Sequence, residues 1–418
     1  MLNEYERPTS QHYKILFMSW AGWVFDFYDL ILFTFLLIPI GAELGLSNVE
    51  LSYVLGASLA ATAAGGVLAG ALSDRWGRKS VLQWTILTYS VGTFFCGFSS
   101  GIGWLLVFRV VTGLGVGGEW ATGQTYVGET FPSRARGWYS ALMQTGAPIG
   151  IVLASIVGGF VAPALGWKMC FFVSVLPALL VVYIRKNLPE SDVWIERKKI
   201  SSGEDMQSSR GPSGTLKQFS LLFSRQHRAL FTKSLILAIF GMSAYWFTYS
   251  WLPGYLHQQR LFSIVKSASW MLVSQIGGVL GYLTFGLMAD RYGRRPAFTI
   301  YTFIMAIGLV MITLLWNSIV SFPPIILSCM FLVGFGTGMF SGYGPLFAEL
   351  FPTEIRNTAM GSAFNIARGI QFFTPVIIAS IAERYALSGG ISLAALFAVL
   401  TGIWVWTFPE TKGRKIVI

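Results

Sequence analysis

Residues 70–80 read GALSDRWGRKS and residues 286–296 read GLMADRYGRRP. Asp74, Arg75, Gly77 and Arg78 of the first stretch return as Asp290, Arg291, Gly293 and Arg294, an offset of 216. A second pair keeps the same order. Residues 129–136, ETFPSRAR, match residues 349–356, ELFPTEIR, so that Glu129 and Arg136 correspond to Glu349 and Arg356 at an offset of 220. Two ordered matches at nearly one offset mark an internal duplication.

Between the charged loops the chain is apolar. Of 418 residues 54% are hydrophobic and 12% charged, with mean hydropathy +0.61, against roughly a quarter charged in soluble domains. Apolar runs of about 20 residues are long enough to cross the hydrocarbon core as helices. Runs such as VLQWTILTYSVGTFFCGF lack the alternation that a membrane barrel requires. Twelve helical spans are expected, at about 15–40, 50–72, 80–99, 102–130, 137–161, 168–186, 232–256, 264–288, 297–316, 323–350, 357–381 and 388–408. The fold class is therefore an all-α membrane protein of two pseudo-symmetric six-helix bundles. The first bundle takes residues 1–187, the second 232–418, and residues 188–231 form a Ser-, Gly- and charge-rich linker. Within the linker, SDVWIERKK and LKQFSLLFSRQHR have the pattern of short amphipathic helices lying on a membrane face.

The formal charge of +11 is spread over loops rather than gathered in one patch, which speaks against nucleic acid. With the N-terminus inside, the outer loops hold Lys168, Arg260, Lys266 and Arg384, Arg109 and Arg368 lie in spans, and the other 24 Lys and Arg face the cytoplasm. The positive-inside rule thus puts both termini in the cytoplasm. No cleavable signal is read before the first span. Cys96, Cys170 and Cys329 all fall inside spans, so neither a disulfide nor a metal site is expected.

Ionisable residues within spans mark function by their cost, about 2.5–3.5 kcal/mol each at mid-bilayer on insertion scales. Asp26 and Asp29, three apart, share a helical face and are expected to look into a common polar cavity, where like charge and burial favour proton binding. The alternative for them is a structural ion pair with Arg109. Glu119 is either a further proton site or the neutraliser of a nearby cation. Arg368 sits halfway along the eleventh span, beside Asn365 and Gln371. A guanidinium there takes both oxygens of a carboxylate, unless it is tied up with Glu119. Tyr28, Gln124, Tyr126, Gln144, Tyr245, Trp246, Gln275 and Tyr343 complete the expected binding cavity, together with Arg109. The repeated loops supply an expected cytoplasmic gate: Asp74, Arg75, Arg78, Glu129 and Arg136, with Asp290, Arg291, Arg294, Glu349 and Arg356.

These loops are the point at which the chain resembles the major facilitator superfamily, over essentially its whole length. RVVTGLGVGGEW (residues 109–120) is similar to the fourth-span motif of metabolite:proton and sialate/lactate:proton symporters. FDFYDL in the first span is similar to the D-G-[FY]-D element of sialate and aromatic-acid carriers, with Phe27 in place of Gly. No P-loop is present, so ATP is not the expected energy source, and the resemblance implies a twelve-helix fold driven by a proton gradient. It implies a monomeric symporter of the bacterial inner membrane that imports a small organic anion such as lactate, sialate or an aromatic acid, and no enzymatic activity or cofactor. By resemblance Asp29 is the partner of the fourth-span Arg109. LPESDVW and FPETKGR are similar to sugar-porter elements and keep a neutral-solute porter open. A proton antiporter that exports a metabolite or drug is the further alternative, although GAPIGIVLASIVGG keeps Gly146 and Gly150 without the Gly-Pro pairing that such exporters carry.

Overall fold

The computed structural model describes residues 2–4, 7–175, 178, 183–184, 187–202, 219–249, 252, 255–262 and 264–414, and all regular structure among them is helical. Nine helices among the described residues are long and apolar enough to cross a membrane, from Ser10–Leu37 to Ser380–Thr407. The third, sixth and eleventh expected spans are the ones outside that set. The third forms Arg78–Cys96 and the eleventh begins as Arg356–Ile370. The sixth starts as Trp167–Val173 and then runs into residues outside the described set. The eleventh is polar, RNTAMGSAFNIARGI, because protein covers it: residues 356–365 are all buried. A span shielded from lipid on every face can carry Asn and Arg. Its continuation, Thr374–Trp404, breaks at Tyr385 and at Ala386 (φ 56°), where the chain turns into the twelfth span.

Helix ends follow local chemistry. Ser47 caps Asn48–Trp76 by accepting from the Glu50 N–H, while Glu50 accepts the Ser47 N–H at 2.8 Å, a reciprocal box. At the tips of the repeated loops Gly77 and Gly293 have φ of 99° and 111°, a region costly to any residue with a Cβ. Space forbids a side chain as well. A Cβ on Gly293 would meet the Glu410 carboxylate at 2.7 Å, and one on Gly77 would strike that of Glu190. Those two glutamates, from the PES and PET elements, play one role in the two halves. Glu190 accepts the N–H groups of Arg78 and Lys79 (2.7 and 3.1 Å), and Glu410 accepts those of Arg294 and Arg295 (2.8 and 3.1 Å). Burial pushes the Glu190 carboxyl up. At Glu410 partial burial acts the same way, but the backbone donors of Arg294, Arg295, Lys412 and Thr411 outweigh it and hold the carboxyl below its ordinary value.

Close packing of spans rests on small residues. Gly113 and Gly117 of the fourth span lie on the backbone of Ser58 and Thr62 in the second, and Gly334 and Gly338 of the tenth lie on Ser274 and Gly281 in the eighth. Gly146 and Gly150 do the same for the fifth span against the first. A Cβ at Gly150 would strike the Val24 carbonyl and meet the Phe27 Cβ at 2.9 Å. The pair is thus explained by packing. Gly150→Ala is expected to destabilise the protein by about 1–3 kcal/mol through overpacking, measured as a lower melting temperature in detergent.

The first amphipathic stretch of the linker forms the helix Asp192–Ser202, which packs on the loop-bearing end. Trp194 is buried and its indole N–H donates to the Asp74 carbonyl at 2.9 Å, while Arg197 pairs with Glu354 at 3.5 Å. The apolar side of this helix docks on protein. Residues 203–218 of the linker, which include the start of its second amphipathic stretch, lie outside the described residues.

Candidate functional site

The repeated loops meet at one end of the molecule, which also holds both described chain ends: the Leu2 N–H donates to Asp192, and Arg136 donates to the Arg414 carbonyl. Here the halves exchange partners. Glu129 accepts Arg78 of its own half at 2.8 Å and Arg356 of the other at 2.7 Å. Glu349 accepts Arg294 of its own half at 2.8 Å and Arg136 of the other at 3.0 Å. Asp74 pairs with Arg78 at 2.8 Å and accepts the N–H groups of Asn357 and Thr358 (3.2 and 2.7 Å) at the start of the eleventh span. Asp290 pairs with Arg294 at 2.6 Å and accepts those of Gly137 and Trp138 (3.0 and 2.8 Å) at the start of the fifth. Each acid therefore caps a helix of the opposite half, satisfying N–H groups that a helix start leaves bare. Arg75 is partly buried, and Arg291 stands exposed with its guanidinium 5.3 Å over the Tyr292 ring.

Above this closed end lies a central cavity with about 170 Å³ of space, walled by both halves. Its floor is a stack across the halves, Trp120 on Phe364 at 3.5 Å and 13°. Its walls are Trp23 and Phe27 of the first span, Tyr245, Trp246 and Tyr249 of the seventh, Tyr282 of the eighth and Phe340 of the tenth, with Gln144 and Gln275 as amides. Arg368 brings the cation. It borders both this cavity and a larger apolar groove of about 1180 Å³ that runs between the second and eleventh spans toward the end opposite the loops, past Leu106, Ile102 and Tyr53. The guanidinium of Arg368 lies 5.9 Å over the Phe27 ring and has no ion-pair or hydrogen-bond partner among the described residues. The anticipated pairing with Glu119 is not formed.

Of the expected cavity residues, Gln144, Tyr245, Trp246, Gln275 and Arg368 line the cavity, and Gln371 lines the groove. The others are elsewhere, for a common reason: a polar group in an apolar span can be satisfied by a neighbouring helix. Arg109 is buried against Asp29 (2.9 Å) with its guanidinium 4.3 Å over the Phe33 ring, so it is an internal ion pair of the first half. Asn365 donates to the Gly117 and Gly361 carbonyls at 3.3 and 3.0 Å. Gln124 sits behind Gln144, donating to its oxygen at 3.3 Å. Tyr28 receives the Ser174 hydroxyl at 3.0 Å, Tyr343 donates to the Leu237 carbonyl at 3.1 Å, and Tyr126 donates to the Pro189 carbonyl near the closed end.

Asp26 and Asp29 do not share a cavity, which corrects the expectation from their spacing. Asp29 takes Arg109 and the Thr93 hydroxyl (2.5 Å). Asp26 is fully buried, and neither of its oxygens has a hydrogen-bond partner among the described residues. Glu119 is buried nearby, one oxygen accepting the Thr85 hydroxyl and the other, without a partner among the described residues, packed on Gly22. Neither Asp26 nor Glu119 lines the cavity or the groove. Sequence reasoning missed Trp23, Phe27, Tyr249, Tyr282, Phe340 and Phe364. A faint signal existed: Trp23 and Phe27, and Tyr245 and Tyr249, are four apart and so stack along one helix face.

The family model described as Major Facilitator Superfamily matches residues 17–283 and 262–417. A putative metabolite transport protein of Haemophilus influenzae is 31% identical over 98% of this chain and 99% of its own length. The sialic acid transporter NanX of Escherichia coli is 30% identical over 95% of each chain, and the cis,cis-muconate transport protein of Acinetobacter baylyi is 28% identical over 98% and 97%. Among solved structures, the proton:xylose symporter XylE bound to 6-bromo-6-deoxy-D-glucose superposes with a TM-score of 0.78 at 19% identity, covering 97% of this chain and 98% of that one, a likeness of fold. The duplicated loops, the two-half cavity and these matches together make the chain a multi-pass membrane transporter of small metabolites, not an enzyme, and a member of the major facilitator superfamily.

Proposed function

We propose that this protein is a proton-coupled symporter that imports a small organic anion by alternating access, as a monomer in the bacterial cytoplasmic membrane with both termini and the loop-bearing end in the cytoplasm. The observation that carries the reading is Arg368, a guanidinium with no salt bridge or hydrogen bond among the described residues, facing a two-half cavity with no acid among its described lining residues. A cation without a salt bridge inside a membrane protein is expensive; the buried Asp26 acts on Arg368 through space alone, and a carboxylate substrate supplies a direct partner in the bidentate geometry that arginine favours. Relatives whose names include sialic acid and muconate carry acids, which agrees. The PES and PET glutamates serve the loop turns, so their presence does not speak for a sugar.

In this conformation the salt-bridge exchange closes the cytoplasmic side and the groove leads outward. An acid entering from outside meets Arg368 at the meeting point of groove and cavity, and rocking of the halves then parts the Glu129–Arg356 and Glu349–Arg136 pairs. Asp26, buried without a hydrogen-bond donor among the described residues, is an arrangement that a neutral carboxyl tolerates better than a carboxylate. It is therefore the proton carrier we favour, with Glu119 as its neighbour across the helices, and the proton gradient is the energy source in place of any cofactor.

The test is uptake into proteoliposomes under an imposed inward proton gradient, with lactate, benzoate, sialate and a hexose offered in turn. An acid should accumulate and collapse with an uncoupler; accumulation of the hexose alone would sink the proposal. Asp26→Asn is expected to abolish gradient-driven accumulation, lowering the concentration ratio from tenfold or more to about one, while exchange of labelled for unlabelled acid continues.

A further inference from the structure

The shape and chemistry of the inner cavity narrow the substrate beyond "organic anion", an inference that rests on the carboxylate role of Arg368 given above. An apolar cavity of about 150 Å³ takes one benzene, and this one offers about 170 Å³. Its walls are ring faces and edges: Trp23 meets Phe27 edge-on at 4.8 Å, and Tyr245 meets Phe340 edge-on at 5.5 Å. Two of its polar groups are already committed, while the buried Trp23 N–H has no partner among the described residues. The Tyr249 hydroxyl is bonded to Ser274 at 2.7 Å, and the Gln144 oxygen takes the Trp120 N–H at 3.1 Å and the Gln124 amide at 3.3 Å. A flat ring meets edges and faces on all sides.

We infer that the inner cavity seats a single flat ring bearing one carboxylate, and that Phe27 sets this limit. Phe27 holds the limiting position because its ring lies beneath the Arg368 guanidinium, packs against Trp23, and is held toward the cavity by the closely apposed fifth span at Gly150. The carboxylate engages Arg368 at the mouth while the ring lies between the aromatic walls. Bulkier acids stop in the outer groove.

Equilibrium binding of radiolabelled benzoate, 2-naphthoate and sialate to purified protein tests this. The wild type should bind benzoate at least tenfold more tightly than either of the others. Phe27→Ala should lower the benzoate-to-naphthoate ratio about tenfold by opening the wall, and Phe27→Leu, which keeps most of the bulk, should lower it less. The inference is overturned if wild type binds naphthoate or sialate as tightly as benzoate, or if Phe27→Ala binds benzoate with the ranking unchanged. Should Phe27→Ala fail to fold, the wild-type ranking and Phe27→Leu still decide. Binding of a hexose and of none of the acids overturns the anion reading itself, whereas binding of all the acids alike overturns only the single-ring limit.

Discussion

Arg368→Ala is expected to raise the KM for acid uptake about 100-fold while leaving the protein folded. A charge-assisted hydrogen bond is worth about 1.5–3 kcal/mol, and losing a bidentate pair, at about 3 kcal/mol, corresponds to roughly two tenfold steps in affinity. Folding should be spared because the guanidinium has no ion-pair or hydrogen-bond partner among the described residues, and its ring contact with Phe27 is long at 5.9 Å. Arg368→Lys keeps the charge without the planar fork and should fall between the two. The measurement is initial uptake rate against acid concentration in proteoliposomes, with melting temperature beside it. A variant that concentrates acid with a wild-type KM would leave Arg368 without a role in binding.

Glu129→Ala should have the other large effect, on conformation. It removes the acceptor shared by Arg78 and Arg356 (2.8 and 2.7 Å), both fully buried. Breaking a buried pair costs about 3–5 kcal/mol because the remaining charge is left uncompensated. Only the state in which the loops meet bears that cost in full, since opening lets water reach the arginines. Because about 5.5 kcal/mol carries a two-state equilibrium from 1:99 to 99:1, the variant should populate the state with this end open. Labelling of a cysteine placed at Thr122, beneath the latch, in a background with Cys96, Cys170 and Cys329 replaced, should speed up about 100-fold or more. Unchanged labelling would mean that the closure is held elsewhere.

Much of the fold was legible because duplication writes itself twice. The charged loops, the glycines at their tips and the acid–arginine pairs carry their partners in local motifs, and the structure brings them together as Glu129 with Arg356 and Glu349 with Arg136. Backbone partners are not spelled in side chains, so the reach of Asp74 and Asp290 to N–H groups of the opposite half was invisible. The cavity was harder for a different reason. Helices that are apolar all round have no face to read, so Trp23 and Phe364 looked like any other aromatic. Polarity misled in the opposite sense: Asn365, Tyr343 and Arg109 looked like cavity residues but serve helix-to-helix bonds within the protein.

The cap exchange between Asp74 and the eleventh span, and between Asp290 and the fifth, also bears on how such a molecule changes over time. Neither repeat is a self-sufficient copy of the other, since each keeps the stopper for a helix that belongs to its twin. A change in one loop is felt first at a helix start more than 150 residues away in the chain, so the two repeats are bound to drift together and neither can be exchanged alone for a foreign one without also importing its counterpart's helix start.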